Sequence, residues 1–250
     1  MSVQILADII NNSSYVVFFG GAGVSTESGI PDFRSQRVDS ASGLCSTEEQ
    51  YGLPPEQLLS RDCFLRKPEL FFRYYKENLI HKDATPNAAH KALAALEERN
   101  QIKCVITQNV DGLHQEAGSK NVFELHGSNR TQYCVECNRQ FALEYILEKT
   151  NCDGFVPKCS CGGIVRPDVV LYGEALNQST VSAAVNAIRK ADSLIVGGTS
   201  LVVYPAAGLI QYFRGPNLVL INKDKTVYDD HATLVINESI GSVLGLVGSG

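Results

Sequence analysis

Five consecutive apolar residues, Tyr15-Val16-Val17-Phe18-Phe19, run into Gly20-Gly21-Ala22-Gly23, and this junction constrains the chain more than any other stretch. A run with no polar face reads as a buried strand. Ser25, Thr26 and Ser28 follow, residues that cap a helix start. A strand passing through a glycine turn into a helix N-terminus offers free backbone N–H groups and a positive dipole end, which suits a phosphate. A bare glycine cluster is as compatible with an ordinary strand-to-helix turn. Ile30-Pro31-Asp32-Phe33-Arg34-Ser35 tips the balance. An acid, a ring and a guanidinium just beyond the turn suit a charged, ring-bearing ligand better than loop closure.

Similar apolar runs recur at 102–107, 122–125, 169–172, 193–196, 218–221 and 234–236. Helical patterns lie between them, at 1–14, 54–80, 179–189 and 205–213. Thr85-Pro86 reads as a cap followed by proline at the first helical position, opening a helix to Asn100 that carries a structural His90. The aromatic stripe through Phe71 and Tyr74 reads as core, and polar Gln36 to Ser46 as a loop. Strands alternating with helices predict an α/β fold, a Rossmann-like parallel sheet covered on both faces. Ligands of such sheets sit beyond the carboxyl ends of the strands. Gly20–Gly23, Gln108–Asp111, His126, Gly198–Ser200 and Asn222 all fall at such ends. His126 is the candidate general base, since imidazole titrates near neutrality, although a histidine at a strand end is by itself as often structural as catalytic.

Of eight cysteines, four are spaced Cys134-x2-Cys137 and Cys159-x-Cys161. This spacing predicts a zinc ribbon, with four thiolates closing the tetrahedron, so the Zn2+ is structural. Cys152 is the rival ligand; Cys159 and Cys161 are preferred because Gly162-Gly163 permits a tight turn round the metal. Cys45, Cys63, Cys104 and Cys152 are scattered, as free thiols in a reducing compartment are. A formal net charge of −5 argues against a general nucleic-acid partner. No targeting segment is visible and no apolar run is long enough for a bilayer, so no membrane partner and a cytoplasmic monomer are expected.

Gly21-Ala22-Gly23-Val24-Ser25 with Ser28-Gly29-Ile30-Pro31-Asp32-Phe33-Arg34 closely resembles the signature of the sirtuins, NAD-dependent protein deacylases. Gly20 stands where many members carry Thr or Ser. Thr107-Gln108-Asn109-Val110-Asp111-Gly112-Leu113-His114 and Phe123-Glu124-Leu125-His126-Gly127-Ser128 resemble two further motifs of that family, and the cysteine spacing is a variant found there.

The resemblance implies a reaction. NAD would lie with its pyrophosphate against Gly21, Ala22, Gly23, Thr26, Gly198, Thr199 and Ser200, and its adenosine ribose at Asn222, with Ile240 and Gln108 completing the contacts. Asp32, Phe33, Val110 and Asp111 would form the nicotinamide pocket, with Arg34 steadying the covering loop. The acyl oxygen of an acetylated lysine would attack the ribose carbon as nicotinamide leaves, and His126 would then activate a ribose hydroxyl while Asn109 orients the ribose and its water. Val169, Val170, Leu171, Tyr172, Gly173 and Val202 would clamp the protein or peptide substrate as an added strand between two free edges, with Tyr172 where Phe is usual. His114 would brace its loop, and Gly127 would leave room beside the catalytic ring. The family's desuccinylases carry Tyr-x-x-Arg, whereas Tyr51 is followed by Gly52-Leu53-Pro54, so neutral acyl groups are favoured, acetyl first. The implied organisation is an NAD-binding domain (1–35, 85–130, 169–250), a helical module (36–84) and a zinc-ribbon module (131–168).

Three other readings compete. A dehydrogenase would show G-x-G-x-x-G with an acid about twenty residues on, and Ile30 to Arg34 fills the wrong place for it. A mono-ADP-ribosyltransferase on the same scaffold would use a similar site, although Asn109, Asp111 and His126 together favour deacylation. A non-catalytic zinc-ribbon binding module is the third.

Overall fold

A computed structural model of the chain describes residues 1–32 and 47–248. Phe33, Arg34 and the loop expected at 36–46 lie outside the described residues. The chain forms two compact units: Met1–Ile30, Ala84–Leu125 and Asn177–Gly250 make unit 1, and Pro31–Asp83 with His126–Leu176 make unit 2. No helix among the described residues is long and apolar enough to cross a membrane.

The strands in chain order are β1 (Val16–Gly20), β2 (Cys104–Thr107), β3 (Val122–Glu124), β4 (Gly127–Cys134), β5 (Gln140–Ala142), β6 (Cys152–Asp153), β7 (Val156–Pro157), β8 (Val165–Val169), β9 (Ser193–Gly197), β10 (Asn217–Ile221) and β11 (Leu234–Ile236). Unit 1 is built on six of them, in the spatial order β3-β2-β1-β9-β10-β11. Every neighbouring pair in that sheet is parallel. The chain fills one half of the sheet outward from β1, then returns beside β1 and fills the other half. The order therefore reverses between β1 and β9, the place where open α/β sheets leave a crevice for a ligand.

The apolar run of β1 is buried throughout because both its faces are covered. Val16 and Phe18 pack with Leu6 and Ile10 of helix Ser2–Asn12, Leu93 and Leu96 of helix Ala88–Glu98, and Val243 and Leu244 of helix Ile240–Gly248. Val17 and Phe19, pointing the other way, meet Ala184 and Ile188 of helix Gln178–Lys190 and the 3-10 segment Ala206–Tyr212. Each fully buried phenylalanine is worth roughly 1.5–3 kcal/mol of transfer free energy.

Unit 2 joins a small antiparallel sheet, β5-β4-β8, and the β6–β7 hairpin to the short helices Thr47–Tyr51, Pro55–Leu58, Arg61–Arg66, Pro68–Asn78 and Leu143–Leu147. The aromatic stripe is core: Phe71, Phe72, Tyr74 and Tyr75 are all 0% exposed. The Tyr75 hydroxyl donates to Asn129 Oδ1 at 2.7 Å, tying the longest of these helices to β4.

Several local expectations are corrected. The helix expected from Thr85-Pro86 is capped by Asn87, whose side chain accepts from Ala89 N at 2.9 Å and donates to Val24 O and Ser28 Oγ. Both residue types cap, and these tertiary bonds decide between them. His90 is structural, its Nδ1 accepting the Asn87 N–H to close the capping box. The stretch 169–172 is no strand of the parallel sheet, since β8 ends at Val169 and pairs antiparallel with β4. The edge expected around Val202 is absent, since Ser200 to Tyr204 is irregular, with Leu201 at φ +57°.

Candidate functional site

The glycine turn does not open directly into the expected helix. Beyond β1 the chain makes two 3-10 turns, Ala22–Val24 and Thr26–Ser28, in place of a helix N-terminus. The Gly21 and Gly23 N–H groups are engaged, donating to the carbonyls of Gly197 (3.3 Å) and Gly198 (2.8 Å). The glycines let two loops touch at the point where the strand order reverses. A Cβ on Gly21 would stand 2.8 Å from Thr199 Cβ, and one on Gly23 only 2.7 Å from Gly198 Cα. Thr26 is exposed, with its hydroxyl turned back onto Gly23 O at 3.0 Å.

Beside this turn lies the loop after β2, brought there by the Gly20–Thr107 register. The Asn109 N–H is held by the Thr107 side chain at 3.0 Å. Ser25, 1% exposed, joins the two loops: its hydroxyl accepts from Asn109 Nδ2 at 3.0 Å and donates to Asp111 Oδ2 at 2.6 Å. Asp111 Oδ1 accepts the Leu113 N–H at 2.9 Å. Each carboxylate oxygen keeps a lone pair for a ligand. Val110 between them is half-buried. Ser25 was read from the sequence as a cap; no sequence signal marked it as the link between the two motifs.

His114 stands behind this loop, 1% exposed, with its ring 4.7 Å from that of His90 and 6.3 Å from Phe18. Neither of its nitrogens has a partner among the described residues. Burial, and secondarily the His90 imidazole, push its pKa down to about 3, so it is neutral and packs as a brace.

On the β9 side, Gln108 Nε2 donates to Thr199 Oγ1 at 3.3 Å, and Thr199 N donates to Asn222 Oδ1 at 2.9 Å. Asn222 Nδ2 is buried without a partner among the described residues. A buried amide donor left open at the carboxyl end of β10 fits a ligand hydroxyl. Gly198 has φ +60°, and Ser200 is exposed. The Ile240 side chain is 3% exposed and packs in the core against Gly197. Gly21, Gly23, Gln108, Asn109, Asp111, Thr199 and Asn222 thus meet around one end of the unit 1 sheet. The donors and close backbone packing there fit a dinucleotide such as NAD.

His126 and Asp32 belong to unit 2, and both are half-buried. Gly127 is required by the backbone: at φ +76° a Cβ would overlap the Asp168 carbonyl oxygen on β8. The Val170 N–H donates to His126 O at 2.8 Å. Glu174 accepts the Leu171 N–H at 2.9 Å, and Tyr172 exchanges bonds with Leu59 (3.0 Å) and Arg61 (2.9 Å). The edge expected to be free is therefore engaged at Leu171 and Tyr172. Gly173 takes φ +87°, and Val202, in unit 1, is 54% exposed.

The metal site is compact. The sulfurs of Cys134, Cys137, Cys159 and Cys161 all lie within 4.8 Å of one another, with Cys134–Cys161 at 3.5 Å and Cys137–Cys159 at 3.7 Å. Tetrahedral Zn–S bonds of about 2.3 Å place sulfurs about 3.8 Å apart, so the quartet fits zinc. The Cys161 backbone N–H helps pull the Cys159 thiol down to about 6. Burial pushes Cys134 up, but the N–H groups of Cys137 and Glu136 leave it below the ordinary thiol value. Cys161 is pushed up to about 12 by the three other cysteines, despite a favourable Gly163 N–H. Four sulfurs this close ionise together only when a cation neutralises them, as zinc would. Gly162 at φ +91° makes the turn, and a Cβ on Gly163 would stand 2.7 Å from Cys134 Sγ. Cys152 is outside the cluster, its sulfur 3.4 Å from Lys76 Nζ and 3.4 Å from Glu148 O.

Comparison with known proteins gives one answer. The model of the Sir2 family matches residues 21–205. A protein of Clostridium perfringens named NAD-dependent protein deacetylase is 59% identical over 244 residues, 97% of this chain and 96% of its own. Its namesake from Clostridium acetobutylicum is 56% identical over 243 residues, 97% and 96% of the two chains. Among solved structures, a Sir2 with a deacetylated peptide and 3′-O-acetyl-ADP-ribose superposes with a TM-score of 0.87 at 38% identity, covering 100% of this chain and 99% of that one. A Sir2 bound to a propionylated peptide has a TM-score of 0.85 at 39% identity, covering 100% and 98%.

Proposed function

The chain belongs to the Sir2 family, and from that premise we propose that it is an NAD-dependent protein-lysine deacetylase yielding nicotinamide, free lysine and O-acetyl-ADP-ribose. The observation that carries this reading is the Ser25 link, which locks Asn109 and Asp111 to the glycine turn where the strand order of unit 1 reverses. NAD, when bound, supplies the ADP-ribosyl group that takes the acyl oxygen in exchange for nicotinamide.

The protein's part is to hold, aim and move protons. Asn222 Nδ2 holds the adenosine ribose, and Gly21, Ala22, Gly23 and Thr26 with the Gly198–Ser200 loop line the pyrophosphate, beside Gln108 and the start of the Ile240 helix. Asp111 keeps a lone pair for a carboxamide N–H, with Asp32, Phe33 and Val110 as the rest of that pocket and Arg34 on its covering loop. Asn109 orients a ribose hydroxyl, and His126 takes that hydroxyl's proton. Preorganised groups of this kind need no reorganisation when charge develops. Val169 to Gly173 and Val202 receive the acetylated lysine and its flanking backbone, and Zn2+ on the four cysteines holds the ribbon. Acetyl is the first acyl group and succinyl disfavoured, nucleic acid is no partner, and the protein works as a cytoplasmic monomer. His126→Ala should lose lysine deacetylation while its circular dichroism and unfolding midpoint stay those of the parent. A deacetylating His126→Ala protein would overturn the assignment of the base.

A further inference from the structure

Unit 2 contains a buried ion pair that this reaction scheme leaves without a role. Arg166 lies on β8 opposite Tyr133, one residue from the Cys134–Val165 pair of the ribbon, and is only 5% exposed. Its guanidinium makes a fork on Glu174, Nη1 to Oε1 at 2.7 Å and Nη2 to Oε2 at 3.0 Å. Nη2 also donates to Val169 O at 2.8 Å, and Nε to Pro167 O at 3.3 Å. Glu174 Oε2 in turn accepts the Leu171 N–H at 2.9 Å, while the Glu174 N–H donates to Leu171 O at 2.9 Å. The guanidinium also stands over the rings of Phe64 (5.0 Å) and Tyr133 (5.7 Å), one from the helical module and one from the ribbon.

A buried ion pair is weak evidence of net stability, because desolvation offsets much of its Coulomb attraction. Bidentate geometry, however, fixes direction. Here the direction fixed is that of a backbone: the two side chains bind Val169 O and the Leu171 N–H, and the Glu174 main chain binds Leu171 O. We propose that Arg166 and Glu174 are positioning residues that, by holding Val169 and Leu171, aim the main-chain groups of this segment left open among the described residues, Val170 O and the Gly173 backbone, at the main chain of an acyl-lysine peptide. The inference rests on the peptide-binding role proposed above for that segment. Strand addition is read through main-chain hydrogen bonds, so a segment free to rotate its peptide planes would dock a peptide more weakly.

Glu174 is the better handle, its side chain being 21% exposed against 6% for Arg166. Glu174→Gln keeps an oxygen for the Leu171 N–H, whereas Glu174→Ala removes every side-chain contact. The full chain, zinc content verified, is titrated with a fluorescent acetyl-lysine peptide, and turnover and unfolding midpoints are measured alongside. Glu174→Ala should weaken peptide binding about tenfold, with kcat at saturating peptide and the KM for NAD within about twofold of the parent. Glu174→Gln should recover most of that loss, and Arg166→Met, if it folds, should match the Ala variant. A Glu174→Ala protein that unfolds earlier yet binds peptide as the parent does would reduce the pair to a structural clamp and overturn the proposal. A parent that binds the peptide but does not deacetylate it would overturn the enzymatic reading alone, leaving the positioning role to stand on the binding data.

Discussion

Acid should unfold this protein partly through one imidazole. His114 is buried against His90 and Phe18, and burial holds its folded pKa near 3, while the unfolded chain protonates near the ordinary 6.5. A folded pKa below the unfolded one means that the unfolded state takes up the proton first as pH falls. The stability tied to a neutral His114 is therefore complete above pH 6.5 and is lost progressively down to about pH 3. Between pH 7 and 4.5 the linkage relation gives a loss of about 3 kcal/mol from this group alone, as an order of magnitude. His90, also lowered by burial, adds in the same direction. The chain has no tryptophan, so urea unfolding is followed by circular dichroism at each pH. Carboxylates and zinc ligands titrate in parent and variant alike, so the informative quantity is the difference. His114→Leu should lose about 3 kcal/mol less than the parent over that interval. Equal losses in the two proteins would refute the claim that His114 is held neutral by burial.

Two further outcomes are expected. Ser25→Ala leaves Asn109 Nδ2 and Asp111 Oδ2 without their shared hydroxyl, and should lower kcat/KM ten- to hundredfold, about 1–3 kcal/mol, with a small change in unfolding midpoint. Chelating the zinc should strip the Cys134–Cys161 cluster of the cation its crowded thiolates need, and so lower the unfolding temperature; an unchanged midpoint after zinc loss verified by metal analysis would contradict a structural role.

Much of this fold was legible in the sequence because its central strands are covered on both sides. An uninterrupted apolar run such as Val16 to Phe19 can be buried in few ways, and the glycine or amide that follows β1, β2, β9 or β10 marks the ligand edge. The cysteine quartet was legible because metal geometry constrains spacing. What escaped depends on pairings that span the chain. Ser25 serves as the link only because β1 and β2 pair in the register that sets Gly20 beside Thr107. Asn87 displaces Thr85 as the cap only because Val24 O and Ser28 Oγ wait for its amide. The glycine N–H groups looked free until the end of β9 and the residue after it supplied Gly197 O and Gly198 O. Val169 to Tyr172 is as apolar as the sheet strands, and its sequence cannot tell a parallel partner from β4. Arg166 and Glu174 carry no local signature of their pairing.

The central claim is a chemical one, and mass balance tests it most directly. Purified zinc-loaded protein is incubated with NAD and an acetyl-lysine peptide, with a succinyl-lysine peptide in parallel, and every product is quantified by mass spectrometry. The acetyl peptide should give nicotinamide, free-lysine peptide and O-acetyl-ADP-ribose in equal amounts, and the succinyl one should turn over far more slowly. NAD consumed with ADP-ribose left on protein, or no NAD consumed at all, would contradict that claim.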